Sequence, residues 1–366
     1  MAGVPDYYAI YPYQLEPVIK EKVWGGRNLE TVLGKTLPPK VMIGETWEAW
    51  EGCIVENGIY QGQTLDRVMD QDAAGVLGSA SVGGRRLPLL FKFIDAQDDL
   101  SVQVHPDDAQ ARARENYAFG KTEAWYILHA EPNAKLILGF NRDVRRDEIT
   151  ASIANDTLTH LLASAPVQRG DVLFVPAGTV HAIGKGIVLA EIQENSDITY
   201  RLYDWGRAVQ GRALHVAQSL DVLDFGRLDD AKIPSLTIHH PHFDQHYLVA
   251  CRYFVLELLE VRQPTPSLAL NEKFQILSVI TGAADIAYGN QSSIVAKQGQ
   301  TFLLPAQLGA YVISPRTSCR LLRAYVPDLE REVVVPLIRA GYDKASIMRL
   351  GGPAREHNDL LVAIRE

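Results

Sequence analysis

The sequence predicts a mainly β protein made of two antiparallel β-barrels of the jelly-roll kind, with a small helical insertion in the first. Three observations predict it. Short apolar runs punctuated by Gly, Pro and Asp occur in two blocks, one from Leu87 onward and one over about 251–326. A glycine-to-proline spacing of six recurs, from Gly170 to Pro176 and from Gly299 to Pro305. Polar and apolar residues alternate through Ser101, Val102, Gln103, Val104 and His105, as a half-buried strand requires.

The elements follow in chain order. VWGG at 23–26 reads as a turn after a short strand, and GETWEAW at 44–50 alternates small or polar with aromatic residues. QTLDRVMDQDAAGVLG at 63–78 carries Leu65, Val68, Met69 and Val76 at helical spacing and predicts a surface helix. PLLFKFID, LSVQVHP, EAWYILHA, KLILGF, DVLFVP, GIVLAEIQ and TYRLYDW then read as strands. Residues 143–164 interrupt them and predict two short helices, the second capped by Asp156. The second block contributes YFVLELLEV, FQILSVITG, ADIAYG, GQTFLLPA, AYVISP and CRLLRAYV. The expected organisation is an N-terminal segment plus first barrel over 1–228, with the insertion at about 143–164. A connecting loop over 229–250, a second barrel over 251–330 and an extension over 331–366 follow. RLGGPAREHND within the extension reads as mobile.

Composition narrows the function. The chain of 366 residues is 47% hydrophobic and 22% charged, with 36 Lys plus Arg against 44 Asp plus Glu, a net charge of −8. These values fit a packed globular protein and disfavour disorder or a fibre. An acidic chain without a long basic run disfavours nucleic-acid binding. No apolar stretch approaches the ~20 residues of a membrane span, and the N-terminus lacks the pattern of a signal peptide. Cys53, Cys251 and Cys319 are scattered and odd in number, so they form neither a disulfide framework nor a CxxC site and suit a reducing cytoplasm. A bound metal must then be held by histidine and carboxylate.

The spacing around Pro176 carries the first chemical signal. Gly170-DVLFV-Pro176-A-Gly178-TV-His181 has the form G-x5-P-x-G-x2-H, in which a glycine starts a strand, a turn reverses the chain and the next strand delivers histidine. This pattern resembles the second motif of the cupin superfamily, small antiparallel barrels with a metal at the centre. In the second block Ala310 stands five residues after Pro305, where the first has His181, and Gln307 replaces Gly178. The inference is one chemical barrel and one metal-free structural barrel. Ser101, Gln103 and His105 share one strand face, where three polar side chains need partners. Glu123 opens the next apolar strand. Gln103, His105, Glu123 and His181 supply one amide oxygen, two imidazoles and one carboxylate, a set that suits Zn2+. Fe2+, Mn2+, Co2+ and Ni2+ accept the same donors. Taken singly, each of these residues reads as a satisfied histidine or carboxylate. Their convergence favours a metal site.

LPLLFKFIDAQDDLSVQVHPDD (87–108), GKTEAWYIL (120–128), VPAGTVHAIG (175–184) and LAEIQENSDITYRLYDWGR (189–207) closely resemble type I mannose-6-phosphate isomerases in their short bacterial form. VWGG and GETWE fit as well. The resemblance covers about residues 7–326 and is specific in the central motifs. It implies one zinc per chain, bound by Gln103, His105, Glu123 and His181, and a catalytic arginine at Arg201. It implies that Ser101 and Lys121 meet the sugar phosphate or lie beside it, and that Glu191 faces the same pocket. The general cupin pattern places His-x-His shortly before its Glu. Here Gln103 replaces the first histidine and Glu123 lies eighteen residues after His105, features this isomerase family shares.

The expected reaction interconverts mannose 6-phosphate and fructose 6-phosphate through a cis-enediol, which needs electrostatic stabilisation and a base near C1 and C2. Glu191 is the first candidate base and Lys121 the alternative, while a structural ion pair is the competing role for Glu191. Arg201 would stabilise the enediolate or clamp an oxygen. Alternative readings are an isomerase of another hexose phosphate such as glucose 6-phosphate, and a non-catalytic sugar-phosphate-binding cupin. A metal-dependent oxygenase is disfavoured. The expected state is a cytoplasmic monomer or homodimer, with no nucleic-acid or membrane partner. Of the tryptophans, Trp24 and Trp47 lie in the N-terminal motifs that would border a sugar pocket. His239, His240, His242 and His246 resemble a metal cluster, but Pro241 disfavours the helix that the spacing of His242 and His246 would need, and a solvated loop is expected there.

Overall fold

The computed structural model describes residues 10–80, 86–207, 213–228, 232–269, 272–352 and 358–364. Parts of the expected connecting loop (229–231) and tail (353–357) lie outside the described residues.

The strand Glu123–Ala130 shows how the sequence builds the centre. Trp125 and Ile127 point to one side and pack with Ile94, Leu136, Leu138 and Ile183. Ala124, Tyr126 and Leu128 point to the other and join a larger core with Leu256, Leu258, Ile276 and Leu322. Both faces are covered, so the strand reads as a near-continuous apolar run.

In the first half, one six-stranded antiparallel sheet runs in the order Val172–Val175, Glu123–Ala130, Ile187–Glu194, Leu89–Ala96, Ile43–Ala49 and Val18–Gly26. Against it packs a five-stranded sheet ordered Tyr200–Tyr203, Val102–Val104, His181–Ala182, Lys135–Phe140 and Leu162–Pro166. The second half repeats the plan. Its large sheet begins Leu236–His239, Phe243–Ala250, Val255–Val261, Cys319–Tyr325, Gln275–Thr281 and Thr301–Leu304, the first-sheet order read from the opposite edge. Two strands from the N-terminal segment, Tyr13–Glu16 and Ile54–Val55, extend it beyond Thr301–Leu304. A three-stranded sheet of Ser292–Lys297, Ala283–Tyr288 and Tyr311–Pro315 covers its inner face. The large sheets meet back to back across the shared apolar core. The mainly β cupin architecture thus matches the sequence expectation.

The internal repeat is real in register. Val175 faces Glu123, and Leu304, five residues after its glycine as Val175 is after Gly170, faces Gln275. Gly170 and Gly299 both take positive φ (94° and 82°), which explains glycine at the start of each motif. The spacing comparison placed Ala310 opposite His181. Strand pairing instead bridges Tyr311 to Leu268, as His181 pairs with Gln103, because a turn of 3-10 helix at Ala306–Leu308 shifts the chain by one residue.

Other elements differ in detail. The predicted helix appears as Leu65–Leu77, with Leu65, Val68, Met69 and Val76 buried and a break at Asp72. Within 143–164 only Arg146–Ala154 is an α-helix. Leu158–His160 is a single 3-10 turn, and Asp156 adopts φ 56° without capping it. The expected loop before Cys251 holds the hairpin Leu236–His239 and Phe243–Ala250, because Leu236, Phe243, Tyr247 and Val249 supply a period-two apolar face beneath the histidines. In the C-terminal extension, Val335–Arg339, Lys344–Arg349 and Asp359–Ala363 are helical, and Leu337, Ile347 and Leu360 pack into the shared core.

Candidate active site

Val102 and Val104 are fully buried against one core, and the alternation turns Gln103 to the opposite face. This short strand lies between His181–Ala182 and Tyr200–Tyr203, so Gln103 is the register partner of both His181 and Arg201. His105 follows its last residue, and Glu123 opens the neighbouring sheet's strand opposite Val175 and Gln193.

These placements bring His105, Glu123 and His181 together. One ligand atom from each lies within 4.8 Å of the others, and all three side chains are buried. The His105 Nδ1 faces the Ile198 carbonyl at 2.8 Å, and the His181 Nδ1 faces the Thr179 carbonyl at 2.9 Å. Each carbonyl accepts the Nδ1 proton and leaves Nε2 as the lone-pair donor. Both Nε2 atoms point at Glu123, at 3.6 Å and 3.3 Å. Burial, reinforced by Lys121, pushes the His105 imidazole well below its usual range and the His181 imidazole down to about 3. Both stay neutral at physiological pH, the state that ligates a metal.

The donors fit a divalent cation. Glu123 Oε1 is buried without a hydrogen-bond partner, and the Lys121 ammonium already sits 2.9 Å from His105 Nε2 and 2.5 Å from Glu123 Oε2. Positive charge is therefore accommodated at this point. The Gln103 amide lies 3.3 Å from His181 Nε2, and the Ser101 hydroxyl is 3.3 Å from the Gln103 amide oxygen.

A cavity of about 210 Å³ opens beside this cluster. Ser101, Gln103, Lys121, Glu191 and Arg201 all border it. All five were singled out by the sequence as candidate site residues, and the structure gathers them around one cavity. Four basic groups (Lys22, Lys92, Lys121 and Arg201) and three carboxylates (Glu45, Glu191 and Asp197) line the cavity, with Lys22 and Lys92 paired to Glu45 and Lys92 also to Glu191. In an acidic chain this lining carries one basic group in excess (4 − 3), a local balance that favours an anionic ligand.

Glu191 stands on Ile187–Glu194 with Trp125 Nε1 donating to its Oε2 at 2.9 Å and Lys92 Nζ 3.2 Å from its Oε1. Burial, with Glu123 nearby, raises its pKa above the ordinary carboxylate range, against the opposing pull of Lys92. Burial pulls the Lys92 pKa down, but Glu191 and Glu45 outweigh burial and raise it. Arg201 Nη1 donates to the Ala213 carbonyl at 2.9 Å, which fixes the guanidinium at the pocket rim.

Sequence reasoning did not single out Lys22, Glu45, Lys92, Asp197 or Thr199, which also border the pocket. Lys92 had a signal, a lysine inside the apolar run PLLFKFID. Glu45 accepts from Trp47 Nε1 at 2.7 Å and lies 3.1 Å from Lys22, so Trp47 acts through Glu45 while Trp24 and Trp125 line the cavity directly. His239 and His246 lie on the hairpin and pair with Asp244 and Glu260, away from this pocket.

Comparison with known proteins adds the family. The catalytic-domain model of type I phosphomannose isomerase matches residues 13–124, and the cupin-domain model of mannose-6-phosphate isomerase matches residues 244–326. The chain is 36% identical over 318 residues to mannose-6-phosphate isomerase ManA of Bacillus subtilis strain 168, across 84% of this chain and 97% of the relative. The chain belongs to the type I phosphomannose isomerase family. Mannose-6-phosphate isomerase of Streptococcus mutans is 35% identical over 80% of this chain and 92% of its own length. The crystal structure of the Bacillus subtilis mannose 6-phosphate isomerase superposes with a TM-score of 0.78 at 33% identity, covering 86% of this chain and 99% of that one. A putative mannosephosphate isomerase from Archaeoglobus fulgidus shares the fold, with a TM-score of 0.68 at 20% identity. The family assignment agrees with the resemblance read from the central motifs. Among the described residues no helix is long and apolar enough to cross a membrane.

Proposed function

We propose that this chain interconverts mannose 6-phosphate and fructose 6-phosphate with one Zn2+ per chain, held by Gln103, His105, Glu123 and His181. One observation carries the reading. A buried His-Glu-His cluster, its Nε2 atoms turned toward Glu123, lies beside a cavity lined by Lys22, Lys92, Lys121 and Arg201 that also holds a buried carboxylate of raised pKa. The neutral imidazoles, the buried Glu123 and the family membership support a resident divalent metal. When bound, the metal supplies Lewis-acid stabilisation to negative charge that develops on the sugar oxygens.

The remaining steps belong to side chains of this chain. Lys121 and Ser101 bind and orient the sugar phosphate from the cavity wall. Glu191 takes the proton from one of C1 and C2 and returns it to the other. Its raised pKa suits both halves of that task, because a weaker acid is a better base and reprotonates at neutral pH. Trp125 Nε1 and Lys92 hold the Glu191 carboxylate in place. Arg201, always charged, stabilises the enediolate oxygen from the opposite rim. Lys121 is the less suited base, because its ammonium is engaged by Glu123 and His105.

A coupled assay of the zinc-loaded protein tests the substrate. Mannose 6-phosphate should turn over, with glucose 6-phosphate at least 100-fold slower in kcat/KM. A preference for glucose 6-phosphate would move the reading to that neighbouring isomerase, and no turnover of either would leave a sugar-phosphate-binding protein.

A further inference from the structure

On the far side of the strand Glu123–Ala130 from the metal cluster, a second cleft of about 300 Å³ lies between the two halves. Tyr126, His129 and Arg169 contribute from the first half, Thr281 and Arg320 from the second, and Thr31 from the N-terminal segment. Among the described residues no carboxylate borders it. We propose that this cleft is a second anion site, which takes a phosphate group between the guanidiniums of Arg169 and Arg320.

Arg320 presents two edges. Its Nε lies 2.9 Å from Glu260 Oε1, outside the cleft lining, and its Nη2 donates to the Tyr126 hydroxyl at 3.1 Å. One edge is thereby neutralised and the other is turned into the cleft. Arg169 makes no hydrogen bond or ion pair among the described residues. Both arginines border the same cleft as Tyr126, and Arg320 touches its hydroxyl directly. Burial keeps the Tyr126 hydroxyl protonated against their pull, and among the described residues that proton has no acceptor. A tetrahedral oxyanion answers all three groups, with oxygens for each guanidinium and one acceptor for the phenolic proton. Water serves Arg169 adequately, so the gain comes from the pair of cations with Tyr126 beneath them. A phosphate here would touch both halves and would share no residue with the catalytic cavity.

Equilibrium dialysis of the zinc-loaded full chain with radiolabelled inorganic phosphate tests this. R169Q should bind one phosphate per chain fewer than wild type, with its isomerisation rate in phosphate-free buffer unchanged. Y126F, which removes only the hydroxyl, should weaken the same site about tenfold. A hexitol 6-phosphate that displaces label missing from R169Q identifies phosphate esters as the ligand, and failure to displace it identifies free phosphate. Equal stoichiometry in wild type and R169Q would overturn the proposal, as would full-affinity binding in Y126F.

Discussion

Glu191 and Arg323 occupy equivalent positions in the two halves and carry opposite charges. Glu191 lies two residues before Gln193, the register partner of Glu123. Arg323 lies two residues before Tyr325 on the strand that flanks Gln275, the counterpart of Glu123. Each pairs across to the next strand, Glu191 with Lys92 at 3.2 Å and Arg323 with Glu257 at 2.6 Å. In the first half the carboxylate sits nearer the metal cluster. In the second, a guanidinium stands at that position, Tyr325 donates to Glu257 at 3.0 Å, and Tyr311 donates to Gln275 at 2.6 Å. The second half has filled the space of a metal centre with a closed polar network.

That network predicts a strong asymmetry between single and double variants. R323M leaves the Glu257 charge buried without its cation, and should cost about 3–5 kcal/mol. E257L combined with R323M removes both charges and should recover most of that loss. Urea denaturation of wild type, R323M, E257L and the double variant checks it, and additive losses would show that the pair is not coupled.

Glu191→Gln keeps an acceptor for Trp125 but removes the proton carrier. Turnover should fall roughly 100- to 10,000-fold while zinc content by atomic absorption stays at one per chain. Arg201→Ala should likewise spare zinc and cut turnover by several orders of magnitude. Retained activity in either variant would remove that residue from the chemistry.

Glu194 predicts a stabilising substitution. Its Oε1 accepts from the Thr122 amide at 2.8 Å, and the carboxyl is buried beside Asp108. Burial, then the Asp108 charge, raises its pKa well above the usual range. A raised carboxyl favours the fold below its unfolded pKa and loses that benefit as pH rises through the folded value. Glu194→Gln should therefore raise stability by about 1 kcal/mol at pH 7, with the gain shrinking toward pH 4. Thermal melts at the two pH values read this directly.

Glu45 has the opposite sign. Burial would raise its pKa, but Lys92 and Lys22 outweigh burial and bring it down to about 2. Its contribution is present above an unfolded value of about 4.3 and disappears as pH falls toward about 2. Glu45→Gln should cost about 3 kcal/mol at neutral pH and flatten the acid-unfolding profile between those values. Denaturant titrations at stepped pH check the slope.

The His105, Glu123 and His181 cluster was legible in the sequence because its residues obey local rules. Strand alternation sorts Gln103 and His105 from Val102 and Val104, and the turn motif fixes His181. Lys92 and Glu45 were harder to see, since their roles arise from cross-strand pairing with Glu191 and Lys22, which only register reveals. The exchange of His181 for Tyr311 was hidden by a 3-10 turn that shifts spacing by one residue. The hairpin at 236–250 was masked by its histidines, although Leu236, Phe243, Tyr247 and Val249 carry the strand period beneath them. Strand order, and the sharing of Tyr13–Glu16 with the second half, depend on long-range pairing that no local pattern encodes.

The central claim is proton transfer between C1 and C2 of a hexose phosphate at this site. Zinc-loaded protein incubated with mannose 6-phosphate in deuterated water, followed by NMR, tests it most directly. The account predicts fructose 6-phosphate with solvent deuterium at C1, and loss of both signals in Glu191→Gln. No fructose 6-phosphate, with zinc confirmed in the protein, would contradict it.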